Sequence, residues 1–181
     1  MTEYLLSQRR TYRRDASGHL HFYSDAPYDS FSLNAVSRTG STLIGTSRVQ
    51  ASSGGRVSTA FVYQQGLGFV SLGGMQGYQT TDAVDVSYDG NAIIGEGYTP
   101  PLGWSQPEIS RPFYWTAQTG RIDLPQALPD GSSTSLKALS GDGRIAVGVA
   151  GGVNGGFPIT WSPDTGYSFL PIQAVNGGSA I

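Results

Sequence analysis

The sequence predicts an all-β fold built from tandem repeats. Two blocks of sequence recur in the same order, Asp-Gly pairs sit between short apolar runs, and glycine and aromatics are both abundant. The 181 residues include 26 Gly and 10 Pro, a share well above the usual for that pair. Disorder is the other meaning of so much glycine, but aromatics stand at 11% and charged residues at only 13%. Disordered chains show the reverse balance. Many short strands joined by tight turns fit both numbers.

The first block reads LNAVSRTGSTLIG at 33–45, VDVSYDGNAIIG at 84–95 and LKALSGDGRIAVG at 136–148. Its frame is an apolar residue, Ser, any residue, Asp or Thr, Gly, two variable residues, two apolar residues and Gly. The frame is carried by Ser37, Gly40 and Gly45, then Ser87, Asp89, Gly90 and Gly95, then Ser140, Asp142, Gly143 and Gly148. Ser37 to Ser87 is 50 residues and Ser87 to Ser140 is 53. The second block reads AFVY at 60–63, PFYW at 112–115 and PITW at 158–161. The aromatics Tyr63, Trp115 and Trp161 each precede a Gly by five residues. A fixed period with two ordered blocks is the signature of a repeat architecture.

Each repeat supplies four strand-like pieces; in the third they cover 135–140, 144–150, 157–162 and 167–171. Asp89-Gly90 and Asp142-Gly143 suit two-residue hairpin turns, because both residues tolerate positive φ. Pro163-Asp164-Thr165-Gly166 makes the second hairpin turn. No stretch carries a capped 3.6-residue apolar period, so few helices are expected. Four strands in about 50 residues is one β-propeller blade. The apolar pairs Leu43-Ile44, Ile93-Ile94 and Ala146-Val147 are expected to form the inner strands, with Trp115 and Trp161 between adjacent blades. A β-helix is the rival fold, but its coils are shorter and lack the regular double hairpin.

The predicted organisation is three full blades plus a partial one. Residues 1–30 form a degenerate half repeat, 31–80, 81–131 and 132–173 the three repeats, and 174–181 the start of a further one. Three and a half repeats do not close a ring of the usual 4–8 blades. The isolated chain is therefore expected to self-associate, or to need further repeats in a longer chain, because open sheet edges recruit partners.

Composition excludes several functions. There is no Cys, so disulfides, thiolate nucleophiles and Cys-based zinc sites are ruled out. No apolar run reaches the ~18 residues of a membrane helix. The N-terminal apolar stretch is too short for a signal peptide. A net charge of −2 gives no general attraction to nucleic acid.

Around the repeat frame, AFVY at 60–63, Gly68, Leu72, Ala83, Ser87, Asp89, Gly90 and the Ile93-Ile94-Gly95 run resemble the HAF family of probable extracellular repeats. The resemblance covers about residues 31–175. The family's His-Ala-Phe signature stands here as Thr59-Ala60-Phe61, Arg111-Pro112-Phe113 and Gly156-Phe157-Pro158. The resemblance implies a bacterial cell surface or extracellular location and a propeller-like fold, often as an autotransporter passenger. It supplies no catalytic residue. An autotransporter also needs a translocator that this chain does not contain.

The candidate sites each have a plain structural role beside the functional one. The run from Ser162 to Gly166 resembles an Asp box, which closes a surface hairpin away from chemistry. Asp89 and Asp142 offer one carboxylate per turn, whereas calcium takes six or more oxygens, so turn formation is the expected role. His19 and His21 face one side of a strand, but no third ligand is near, and no metal or cofactor is expected. No Ser has a His and Asp partner at catalytic spacing, and GGVNGG at 151–156 lacks the phosphate-loop ending. Arg9, Arg10, Arg13 and Arg14 form a charged edge against aggregation or a contact for an anionic ligand, with Arg10 and Arg14 sharing a face. The insertion from Tyr98 to Glu108 carries Tyr98 and Trp104 on a projecting loop, and exposed aromatics there suit a glycan or protein ligand.

These residues lead to a non-enzymatic, surface-exposed propeller repeat segment acting in adhesion or as a passenger scaffold. A lectin-like, carbohydrate-binding propeller assembled from several chains is the alternative, and a sialidase-type hydrolase is a remote third. The repeat alignment predicts that Trp161→Ala lowers the denaturant midpoint far more than Trp104→Ala. Truncating a core Trp costs roughly 3–5 kcal/mol, and equal shifts would show that the alignment misplaces Trp161.

Overall fold

A computed structural model describes residues 12–14, 20–22, 30–50, 56–100, 108–152 and 155–171. Among these residues every regular element is a strand. A two-stranded pair comes first, β1 (Tyr12–Arg14) against β2 (Leu20–Phe22), antiparallel with Arg13 opposite His21. Three four-stranded sheets follow. The first holds β3 (Ser30–Val36), β4 (Thr42–Gln50), β5 (Arg56–Gln64) and β6 (Gly68–Ser71). The second holds β7 (Thr80–Val86), β8 (Ala92–Tyr98), β9 (Ser110–Thr116) and β10 (Gly120–Asp123). The third holds β11 (Thr134–Leu139), β12 (Ala146–Gly152), β13 (Gly155–Ser162) and β14 (Gly166–Phe169). Each sheet is an antiparallel meander in chain order.

The apolar pairs lie on inner strands of their sheets. Leu43-Ile44, Ile93-Ile94 and Ala146-Val147 lie in β4, β8 and β12, each hydrogen-bonded on both sides. Between the first two sheets β7 approaches β5 and β4 most closely, and between the second and third β11 approaches β7, β8 and β9 alike. A strand sandwiched between two others and between two sheets loses most water, so the longest apolar pairs belong there.

The Asp-Gly turns are also wider than two residues. No non-Gly residue has positive φ among the described residues, while Gly40, Gly90 and Gly143 lie near +71°, +79° and +73°. Asp89 therefore keeps a negative φ, and the glycine alone takes the left-handed position. The Gly90 amide donates to the Ser87 carbonyl (3.0 Å), and Ser87 N to the Ala92 carbonyl (2.9 Å). The serine side chain completes the turn: Ser87 Oγ accepts from Ala92 N (3.0 Å) and donates to Asp89 Oδ1 (2.6 Å). The outer hairpins take three-residue loops followed by Gly120 and Gly166 at positive φ.

Two cores fill the gaps between sheets. Ile44, Val62 and Leu72 of the first repeat pack on Ala83, Val86, Ile93 and Phe113 of the second. Ile94 and Leu124 of the second pack on Leu136, Ala146, Ile159 and Trp161 of the third. Trp161 meets the Tyr114 ring at 5.0 Å across that second gap, and Trp115 lies half-buried against the first core.

Gly95 shows how tight the sheet is. A methyl group there would overlap the Phe113 ring and the Asp82 carbonyl. A methyl on Gly74, in the link between the first two sheets, would meet nothing within 4 Å. Gly95→Ala is therefore expected to lose about 1–3 kcal/mol in urea unfolding and Gly74→Ala close to none, and similar losses would contradict this packing.

Candidate binding site

One carboxylate is buried at the gap between the second and third sheets. Glu96 is 1% exposed, the single charge in the strand AIIGEGY. It shares a face with Tyr98, two residues along β8. Tyr98 OH donates to Glu96 Oε2 at 3.1 Å. Ser135 Oγ of β11 donates to Oε1, and Lys137 Nζ reaches the same oxygen at 3.3 Å. Lys137 sits at the register shift in β11 between Leu136 and Ala138. Such bulges turn a side chain out of the ordinary alternation, and here the side chain stays 60% exposed while touching a buried partner.

The same junction recurs in polar form one blade earlier. Thr46, one residue after Gly45 as Glu96 is after Gly95, donates to Asp82 Oδ1 at 2.9 Å. Asp82 occupies the position in the second repeat that Ser135 occupies in the third. The residue after the strand glycine thus bonds to the first strand of the next sheet at both junctions.

The insertion starts beside this cluster. Thr99 N donates to the Ile109 carbonyl (3.1 Å), and Ile109 N to Thr99 Oγ1 (3.0 Å), closing its base. Ser110 opposite Tyr98 bonds onward to the third sheet, its N donating to Ser133 Oγ (3.1 Å) and its Oγ to the Thr134 carbonyl (3.2 Å). The loop is therefore anchored to both blades beside Tyr98. Burial, the Glu96 charge and the bond to Glu96, with Asp82 and Glu108 adding, push the Tyr98 hydroxyl far above its usual pKa. It stays a neutral donor at any physiological pH.

Glu96 accepts from Tyr98, Ser135 and Lys137, so its oxygens face donors of the protein itself. The Lys137 side chain, 60% exposed, is the part of the cluster open to solvent.

Of the ligand contacts read from sequence, only Tyr98 can be placed with its side chain. Trp104 and Arg10 lie outside the described residues, and Arg14 is placed as backbone in β1. Glu96, Asp82 and Lys137 were missed. The signal was present as charges inside strands of mostly small and apolar residues.

Arg111 and Arg121 are bound to backbone carbonyls of the fold. Arg111 Nε donates to the Leu124 carbonyl (2.6 Å). Arg121 donates to the carbonyls of Leu72 (2.9 Å), Gly73 (2.6 Å) and Gly74, with its guanidinium over the Phe113 ring. Among the described residues no group of three or more His, Cys, Asp or Glu is placed to hold a metal. No helix among them is long and apolar enough to cross a membrane.

Solved structures share this arrangement of sheets. TolB from Acinetobacter baumannii superposes on 90% of the chain with a TM-score of 0.50 and 21% identity. The fold is β-propeller-like. The chain spans 37% of that TolB chain. The β-propeller domain of the trilobed protease from Pyrococcus furiosus covers 78% of the chain, with a TM-score of 0.49 and 13% identity. No family description matches the chain and no curated protein matches it. The three sheets are thus blades, and the Glu96 cluster lies between blades two and three.

The turn aspartates titrate with the blades. The Ser87 hydroxyl, then the Asn91 amide, lower the Asp89 pKa; the Ser140 hydroxyl, then the Arg144 amide, lower that of Asp142. A carboxyl lowered on folding adds stability above its unfolded value of about 4, and this is lost as pH falls through the lower folded value. A double Asp89→Asn, Asp142→Asn variant is expected to lose less stability than the parent between pH 5 and pH 2, with calcium or chelator changing neither protein. A calcium-dependent melting temperature would make these turns ion sites.

Proposed function

We propose that this chain is a non-enzymatic β-propeller repeat segment of the HAF kind, exposed at a bacterial surface and acting in adhesion or as a passenger scaffold. The carrying observation is the use of its reactive side chains. The turn Ser and Asp residues close their own loops, Arg111 and Arg121 hold backbone carbonyls, and the buried Glu96 is surrounded by donors from two blades. Such groups rigidify a scaffold, and a rigid scaffold presents loops.

The contact surface in this reading is the end of the gap between blades two and three. It combines Tyr98, the exposed Lys137 ammonium and the insertion that carries Trp104. A hydroxyl-rich ligand suits that set, since an aromatic ring stacks on a sugar face while an ammonium donates to its hydroxyls. The lectin-like alternative rests on the same residues.

A labelled chain on a glycan array, run beside a fluorogenic sialoside assay, tests the reading. Expected are binding to a subset of glycans or to extracellular matrix protein, its loss in Trp104→Ala and Lys137→Ala, and no turnover. Turnover of the sialoside above the buffer rate would overturn the non-enzymatic reading, and binding untouched by both substitutions would move the contact surface elsewhere.

A further inference from the structure

The chain holds three Asp-Gly pairs, Asp89-Gly90, Asp130-Gly131 and Asp142-Gly143. Such a pair is chemically reactive, because glycine has no Cβ to keep its nitrogen away from the neighbouring carboxyl carbon. Two of the pairs are the inner turns of blades two and three. The third lies in the link between β10 and β11. The fold leaves the three very different freedom.

At the inner turns the carboxylate is held from both sides. Asp89 Oδ1 accepts from Ser87 Oγ (2.6 Å) and Asn91 N (3.0 Å), and Oδ2 accepts from Asn91 Nδ2 (2.8 Å). Asp142 Oδ1 accepts from Ser140 Oγ (2.5 Å) and Arg144 N (3.1 Å). The Gly90 and Gly143 amides are bound to the Ser87 and Ser140 carbonyls at 3.0 and 2.8 Å. Both glycines also press on the preceding blade, where a methyl would overlap the Thr42 or Ala92 side chain. Asp130 has Leu128 where the turns have serine. It leans on Ser132 alone, whose amide donates to Oδ1 at 2.9 Å and whose hydroxyl adds a second bond. Asp130 and Gly131 are both exposed, and a methyl on Gly131 would meet nothing within 4 Å. The Gly131 amide makes the longest of the three glycine bonds, 3.2 Å to the Leu128 carbonyl.

We propose that Asp130 is a modification site, where the folded chain converts aspartate to isoaspartate. The Gly131 nitrogen attacks Cγ of Asp130, and the carboxyl hydroxyl leaves with the amide proton as water, closing a cyclic imide. Water then adds to the imide carbonyl that came from the Asp130 main chain. Its bond to the Gly131 nitrogen breaks, the chain now runs through Cγ, and the carboxylate stands on the main-chain carbon. One water leaves and one returns, so no other reactant is needed. Ring closure requires the Asp-Gly peptide to rotate, which the inner turns resist with hydroxyl, backbone and blade contacts. The link can take the extra backbone atom, because its hold on blade three lies elsewhere, from Ala127 N to Thr134 Oγ1 (2.8 Å) and from Tyr167 OH to the Pro125 carbonyl (3.0 Å).

Peptide mapping of the full chain after long incubation at neutral pH tests this, with fragmentation that tells the two linkages apart. Isoaspartate is expected at Asp130 at about tenfold or more the level at either inner turn, since those turns react only through local opening. In concentrated urea the three pairs are expected to converge. Ser140→Ala is expected to raise conversion at Asp142 and leave Asp130 unchanged, and Ser87→Ala does the same for Asp89 should the first variant not fold. Asn154-Gly155 and Asn176-Gly177 react by related chemistry that releases ammonia, and their change in mass keeps them apart from Asp130. Equal conversion of the three pairs in the folded chain, none at Asp130, a preference for Asp130 that persists in urea, or turns indifferent to loss of their serine would each overturn the inference.

Discussion

The blades are held in register by the inner turn. Its glycine lies directly against the preceding blade: a methyl on Gly90 would overlap the Thr42 side chain, and one on Gly143 would crowd Ala92. The residue before the Asp position adds the second tie. Arg38 N bonds to the Tyr88 carbonyl at 3.0 Å, and Tyr88 N to the Gly141 carbonyl at 2.8 Å. Side chains follow the same line, with the Arg38 guanidinium over the Tyr88 ring and that ring lying over Gly141. A left-handed glycine is required because the turn must bring backbone to backbone, and only a residue without Cβ fits there at low cost. The aliphatic cores supply most of the burial, but they are non-directional. The turn sets the angle at which one sheet meets the next.

Polar groups are placed where the same geometry can satisfy them. Glu96 lies inside a gap otherwise filled by aliphatic and aromatic side chains, and a buried carboxylate is tolerated only when its oxygens are paired. Tyr98 and Ser135 are neutral donors from each side of the gap, and Lys137 supplies charge from a bulge open to solvent. The ion pair is half in water, so its net contribution to stability is small. Its effect is positional: it fixes Tyr98 and the base of the insertion relative to both blades.

The repeat was legible because the turn demands particular residues. Ser accepts and donates within the loop, Asp accepts from backbone, and Gly takes positive φ, so the motif survives even where Thr39 replaces the acid. Strand order and the outer hairpins followed from the same spacing. The inner hairpin was misread because Asp-Gly suits a two-residue turn equally well, and only the serine side-chain bonds decide for the wider loop. The apolar pairs fall on middle strands because those are the most enclosed places in each sheet. The Glu96 cluster was not legible, since Glu96, Ser135 and Lys137 come together only when two blades pack, across about 40 residues of chain.

Native-state hydrogen exchange at the Arg38 and Tyr88 amides tests the turn account most directly. If these bonds set the blade angle, both amides exchange only through global unfolding, as slowly as Ile44 and Ile94 in the middle strands. Exchange as fast as that of Leu67, whose amide closes an outer turn, would contradict the account and leave the side-chain cores as the sole tie between blades.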